Sequence, residues 1–280
     1  MRKEIFVCER VANGMNELLK IFFTEREDPS FKEVIFLNEV PHITWDEISK
    51  KSHNLPRGWY ELSRVSIEDR VDFTRDFWLD RLPYHPTASG AIFEFFEQLD
   101  DIAIVLFRKG KEEPFTAELV YSLADNSCFF RGNPPCKEED LAELSKEIDV
   151  ALPHDYYSFL KIHNGFGKLS EMGLLEINEI AHTKRRVMDL LIQTEKRVKS
   201  GTVDVDPGAL IPFYEALGLS SFQCFYTDWY PGSEMGNVYL SGIDYTLSDV
   251  SDKKSLAENL AFSTFSEWLA YYLQGMNLCT

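Results

Sequence analysis

The sequence predicts an α+β protein, with a helix-and-antiparallel-sheet module in its C-terminal half and an additional α+β domain before it. Three observations carry this. The 280 residues exceed one small domain and suit two of about 130–150. Helical periodicities and strand-like apolar runs occur in both halves, and in the first half helices precede a block of three strands. Between the halves lies Arg131-Gly132-Asn133-Pro134-Pro135-Cys136-Lys137, where Gly, Asn and two prolines stop regular structure. The expected division is 1–132, a linker at 133–137, and 138–280. No internal repeat or low-complexity tract interrupts this plan.

In the first half, Val34-Ile35-Phe36-Leu37 marks a buried strand within Phe31 to Val40. Thr44 with Glu47 three residues later forms a capping box for a short helix. From Ser66 to Leu82 the pattern is helical, with Ile67, Val71, Trp78 and Leu82 on one stripe and Pro83 as the stop. A further helix over Ala88 to Leu99 carries Ile92, Phe95, Phe96 and Leu99. Strand-like runs follow at Ile102 to Phe107, Phe115 to Leu123 and Ser127 to Arg131, with turns at Arg108-Lys109-Gly110 and Asp125-Asn126.

The second half opens with a helix from Glu138 to Ile148, whose acidic first turn complements the helix dipole. A second helix starts at Pro153, places Tyr156, Phe159, Leu160 and His163 on one face, and ends at Asn164-Gly165. A strand is expected at Gly173 to Ile177 and a long polar helix over Glu179 to Lys199. Ala209 to Phe213, Phe222 to Trp229 and Asn237 to Leu240 read as strands, and Thr264-x-x-Glu267 caps a last helix.

Composition restricts function. The net charge is −17, with 17 basic against 24 acidic residues before Cys136 and 12 against 22 from there on. Such a surface repels phosphate backbones, so a nucleic-acid partner is not expected and a basic protein partner is. The N-terminus lacks the apolar run of about 7–15 residues that a secretion signal needs. Nor do about 18 consecutive apolar residues occur, so no membrane helix is expected. Five dispersed cysteines without a Cys-x-x-Cys pair suit reduced thiols and a cytoplasmic protein.

The segment Leu152-Pro153-His154-Asp155-Tyr156-Tyr157-Ser158-Phe159-Leu160-Lys161-Ile162-His163-Asn164-Gly165 resembles the signature helix of the SUKH superfamily in its Smi/Knr branch. Three later landmarks follow in the same order. They are Leu210-Ile211-Pro212-Phe213, Gly236-Asn237-Val238-Tyr239 after the aromatic strand ending near Asp228, and Ser263-Thr264-Phe265-Ser266-Glu267-Trp268-Leu269. The resemblance covers roughly Glu138 to Gln274 and implies an α+β module that binds proteins, as toxin-neutralising immunity proteins or regulatory scaffolds do. It does not extend to the first 130 residues, which a typical single-domain immunity protein lacks.

Residues for chemistry are not assembled in the sequence. Gly165-Phe166-Gly167-Lys168 follows a helix and lacks phosphate-loop spacing, so it reads as a helix-ending turn. Gly232-Ser233-Glu234-Met235-Gly236 has the wrong spacing for a nucleophile elbow. The six histidines form no metal-binding pair, and His163 reads as a packed residue. Asp72, Asp76, Asp100 and Asp101 read as solvated carboxylates. No catalytic residue, cofactor or metal is assigned, which leaves a non-catalytic binding module; the alternative is an enzyme with a catalytic N-terminal domain and a docking C-terminal one. Two clusters are candidate contact sites. Lys184-Arg185-Arg186 with Lys196, Arg197 and Lys199 reads as a polar helix face with intrahelical pairs Arg185–Asp189 and Glu195–Lys199. The partner-binding candidates are Asp228, Trp229, Tyr230 and Glu234, because Tyr and Trp give large contact area at low entropy cost.

Overall fold

The computed structural model describes residues 17–24, 31–124, 128–169, 173–193, 197–216, 220–251 and 259–275. The fold is α+β with antiparallel strand pairing, and the chain divides into two units. One takes the described residues up to Phe77 and Phe93–Pro134; the other takes Trp78–Ile92 and Pro135–Gly275.

The first unit contains α1 (Glu17–Thr24), β1 (Glu33–Phe36), a 3-10 turn, α2 (Trp45–Ile48), α3 (Arg57–Leu62), part of α4 (Ile67–Arg81), the end of α5 (Pro86–Glu97), β2 (Leu99–Arg108), β3 (Thr116–Leu123) and β4 (Phe129–Gly132). Its strands run in the order β1-β2-β3-β4, all antiparallel, with Val34 opposite Phe107, Ile104 opposite Leu119 and Tyr121 opposite Phe130. Residues 102–107 of β2 are buried throughout, which accounts for their unbroken apolar sequence. Phe95 of α5 packs on Tyr121 and Phe130, ring centroids 5.6 and 5.2 Å apart. Thr44 and Glu47 form the expected capping box, the Glu47 carboxylate accepting the Thr44 N–H at 2.9 Å.

Local expectations differ from the structure in several places. The strand expected over Phe31 to Val40 is four residues long, and Leu37–Glu39 curl into the 3-10 turn. The buried stripe of α4 is not Ile67-Val71-Trp78-Leu82 but Arg70-Thr74-Trp78-Leu82, with Ile67 exposed. An arginine can take a core position here because its partner is buried with it. Arg70 Nε lies 3.1 Å from Asp101 Oδ1, and Asp101 also accepts the Ile102 N–H at 2.6 Å. Asp101 is therefore not a solvated carboxylate; it sits where the β2–β3 register shifts, which turns its side chain inward. The turn expected at Asp125-Asn126 lies outside the described residues.

The second unit contains α6 (Glu138–Ile148), α7 (His154–Leu160), β5 (Phe166–Lys168), β6 (Gly173–Leu174), α8 (Ile177–Gln193), β7 (Lys199–Ser200), β8 (Val203–Asp204), β9 (Leu210–Ala216), β10 (Ser221–Tyr226), β11 (Asn237–Ser241), β12 (Thr246–Leu247), β13 (Ala261–Phe262) and α9 (Phe265–Gln274). The strand order is β5-β6-β9-β10-β11-β12, with β13 also on β11 and β7-β8 as a separate hairpin. The long polar helix ends at Gln193, before the expected Lys199, which instead pairs with Asp204 across a turn at Gly201 (φ +59). That left-handed backbone favours glycine. The Gly165-to-Lys168 run, expected as a turn, supplies β5. Trp78 is counted with this unit for a physical reason: its ring is fully buried, 5.5 Å from both Phe159 and Phe166. Ala88 and Ala91 of α5 pack with Ala270 of α9.

Burial of the Arg70–Asp101 pair makes stability pH-dependent. Burial raises the Asp101 pKa to about 6 against the opposing pull of Arg70, and the same loss of solvent lowers that of Arg70. Asp101 thus holds its proton more tightly folded than unfolded. Its contribution to stability is full below the ordinary 3.8 and is lost as pH rises through about 6. In urea unfolding of the wild type and Asp101→Asn, the difference should move in favour of the variant by about 2–3 kcal/mol between about pH 4 and pH 7. A difference that stays constant with pH would contradict this titration.

Candidate functional site

The sequence landmarks of the second half meet in one core. Asp155, in the first turn of α7, is buried, and its Oδ2 accepts the Ser266 N–H at 2.8 Å and the Ser266 hydroxyl at 2.9 Å. Its Oδ1 accepts the Tyr156 N–H at 2.9 Å. Pro153 stands one residue before its expected place, as the N-cap of α7. The helix ends at Leu160, short of the expected Asn164-Gly165; beyond it Asn164 Oδ1 accepts the Ile177 N–H at 2.7 Å and so fixes the start of α8, while Gly165 turns with φ 96. Asn237 Nδ2 donates to the Thr264 carbonyl at 3.0 Å, and its Oδ1 accepts from Gln223 Nε2 at 2.8 Å. Thr264 accepts the Glu267 N–H as an N-cap should, while Glu267 accepts the N–H of Ser263, one residue before the N-cap, so the reciprocal half of the expected capping box is shifted by one residue. Around these bonds pack Tyr156, Phe159, Phe213, Phe225, Phe265 and Trp268; Phe213 and Phe225 are stacked at 4.3 Å.

The four partner-binding candidates occupy the connection between β10 and β11. Three backbone bonds close it: Tyr226 N–H to the Gly236 carbonyl, Trp229 N–H to the Tyr226 carbonyl and Gly236 N–H to the Trp229 carbonyl, each 3.0 Å. The Trp229 indole lies on Gly236 so closely that a Cβ there would come within 2.3 Å of Cε3. Only glycine leaves room for it. Trp229 is half-buried against the core that includes Val187, Tyr226 and Val238. Tyr226 is buried, and burial together with the Asp228 charge raises its pKa. Asp228 is exposed, Tyr230 is 55% exposed, and Glu234 is half-buried. Trp229 therefore holds the connection in shape, while Tyr230 and Asp228 face outward.

With this arrangement in view, residues 135–271 match the SMI1 / KNR4 family (SUKH-1). The C-terminal half is a SUKH-1 domain. A search of curated proteins found no match to the chain.

Elsewhere in the SUKH-1 domain four residues of the basic cluster face carboxylates. Arg185 pairs with Glu147 at 3.1 Å instead of the expected Asp189, Arg186 with Glu215, and Arg197 and Lys199 with Asp204 at 3.1 and 3.7 Å. Glu195 and Lys196 lie outside the described residues. His163 is buried and stacked on Phe166, ring centroids 5.6 Å apart. Burial first, then Asp140 and Glu138, pushes the Cys136 thiol up to about 12, and burial raises that of Cys224. Both are held as thiols and are poor nucleophiles. A cleft of about 440 Å³ opens beside the β7–β8 hairpin, lined by Leu191, Ile192, Arg197, Val198, Asp204, Val205, Asp206 and Pro207. Thr227 N–H donates to the Ala209 carbonyl at 3.0 Å and so ties the β10–β11 connection to the segment that walls this cleft. The cleft is not evident in the sequence, because its hairpin consists of two-residue strands.

Two substitutions test this construction. Asp155→Ala leaves the Ser266 N–H and hydroxyl buried without their acceptor and should cost about 3 kcal/mol in chemical unfolding, with Asp155→Asn costing less. Unchanged stability in the alanine variant would remove the carboxylate from its structural role. Gly236→Ala should displace the Trp229 ring at a cost of about 1–3 kcal/mol, visible as a red shift of tryptophan emission.

Proposed function

We propose that the protein is a non-catalytic, cytoplasmic protein-binding module of the toxin-neutralising or regulatory kind. In this reading its SUKH-1 domain engages a basic protein through the β10–β11 connection. One observation carries the proposal. Thr202 to Asp252 holds eight acidic residues and no Lys or Arg, and within it an exposed Tyr230 and Asp228 are presented on a connection pinned by Trp229 and Gly236. A preshaped surface binds without first losing loop entropy. An acidic field speeds the approach of a cationic partner, and an aromatic centre slows its departure.

The test is capture of partners from native lysate on the full-length protein, followed by kinetics with the captured protein at low and high salt. Asp228→Asn with Glu234→Gln should mainly lower the association rate, and salt should mask the effect. Tyr230→Ala should mainly raise dissociation, at about 1–2 kcal/mol. Wild-type kinetics in both folded variants would exclude this surface.

A further inference from the structure

We propose that α4 of the N-terminal unit carries a second docking surface, fitted to a basic amphipathic segment of another protein. The motivating feature is an unusual partition of side chains. Arg70 and Thr74 are buried, whereas Phe73 and Phe77, one helical turn apart, are 57% and 40% exposed. An amphipathic helix serving only its own core places aromatic rings inward and cations outward. Two large aromatics exposed one turn apart on one side of a helix mark a surface that another molecule can cover.

The charges around the rings select the occupant. Asp69, Asp72 and Asp76 are exposed on the same helix. Spacings of three and four residues place Asp69 and Asp76 alongside Phe73, at the outer edge of the aromatic row. Asp72 and Asp76 both lean on Arg75, at 2.8 and 3.1 Å, so that one cation serves two carboxylates. The rim therefore stays negative. A segment with apolar side chains on one face and Lys or Arg beside them would cover the rings, pair with the rim and place cations at the ring faces. A second copy of this chain, at −17, brings like charge, and so do an anionic membrane and nucleic acid.

The experiment uses the full-length protein and a labelled synthetic helical peptide of leucine and lysine, with its leucine–glutamate counterpart as control, read by fluorescence anisotropy. The lysine peptide should bind the wild type, more weakly as salt rises, and the glutamate peptide should not bind. Phe73→Ser with Phe77→Ser should weaken binding at least about tenfold, and so should Asp72→Asn with Asp76→Asn. Because Asp72 and Asp76 are exposed, the unfolding temperature should hold in the Asp variant; Phe77 is 40% exposed, and the Phe variant should unfold at a somewhat lower temperature. Should the Phe pair prove misfolded, the Asp pair decides. Tyr230→Ala with Asp228→Asn, in the SUKH-1 domain, should leave the peptide affinity unchanged, which separates this surface from the one proposed above. Equal affinity in the wild type and the α4 variants overturns the proposal. Wild-type self-association in sedimentation, lost in the Phe variant, overturns it in favour of a second copy as occupant.

Discussion

The SUKH-1 domain depends on one buried carboxylate. Asp155 accepts three hydrogen bonds, two of them from Ser266, which lies 111 positions away in sequence. A carboxylate taken out of water is costly unless its acceptor sites are filled. The Ser266 N–H and hydroxyl can fill them only when α9 begins where it does. Asn237 extends the constraint by donating to Thr264 immediately before α9 and accepting from Gln223 on β10. Two helices and two strands are thus indexed to each other by polar groups that admit no slip, and the aromatic rings then pack in the register those bonds impose. Hydrophobic burial supplies the bulk of the stability, while the polar bonds specify a single arrangement.

This division between bulk and specificity also sets what the sequence reveals. The capping box at Thr44, the N-cap at Thr264 and the acidic turn opening α6 are local chemistry, and each is found where it was expected; α7, by contrast, ends at Leu160, before the Asn164-Gly165 that was expected to stop it. The order of the motifs identified the C-terminal domain, since each landmark segment contributes to one core. Long-range pairing is not written in any local window. Nothing near Arg70 announces that its partner is Asp101, so apolar periodicity assigned the wrong stripe of α4. In the same way, Glu147 takes Arg185 from the intrahelical Asp189. The two-residue strands β7 and β8 fall below any periodic signal, and with them the cleft they border.

Among the candidate contact residues, type was legible and role was not. Trp229 and Tyr230 are adjacent aromatics with similar intrinsic preference for interfaces. What separates them is Gly236, which lets the indole lie flat against the backbone where any Cβ would collide. Trp229 is thereby committed to the shape of the connection, and the neighbouring tyrosine is left to solvent. A single glycine seven residues downstream decides which aromatic is available, and it becomes informative only once the strands on either side are paired.

The exposed phenylalanines of α4 follow from the same kind of constraint. A helix advances about 100° per residue, so a buried row at 70 and 74 leaves 73 and 77 at the shoulder of the buried face. Occupying that row with Arg70 and Thr74 has a double consequence. The ion pair loses hydration that its mutual attraction does not restore, as the opposed shifts of Asp101 and Arg70 toward their neutral forms indicate. The rings, 57% and 40% exposed, forgo about half of the burial that for a whole phenylalanine amounts to about 1.5–3 kcal/mol. An apolar row at 70 and 101 with polar residues at 73 and 77 would relieve both penalties within the unit itself. The arrangement is therefore poorly explained by the stability of the isolated unit, and it is well explained if a partner covers the rings: the burial missing from the free protein then becomes available to binding.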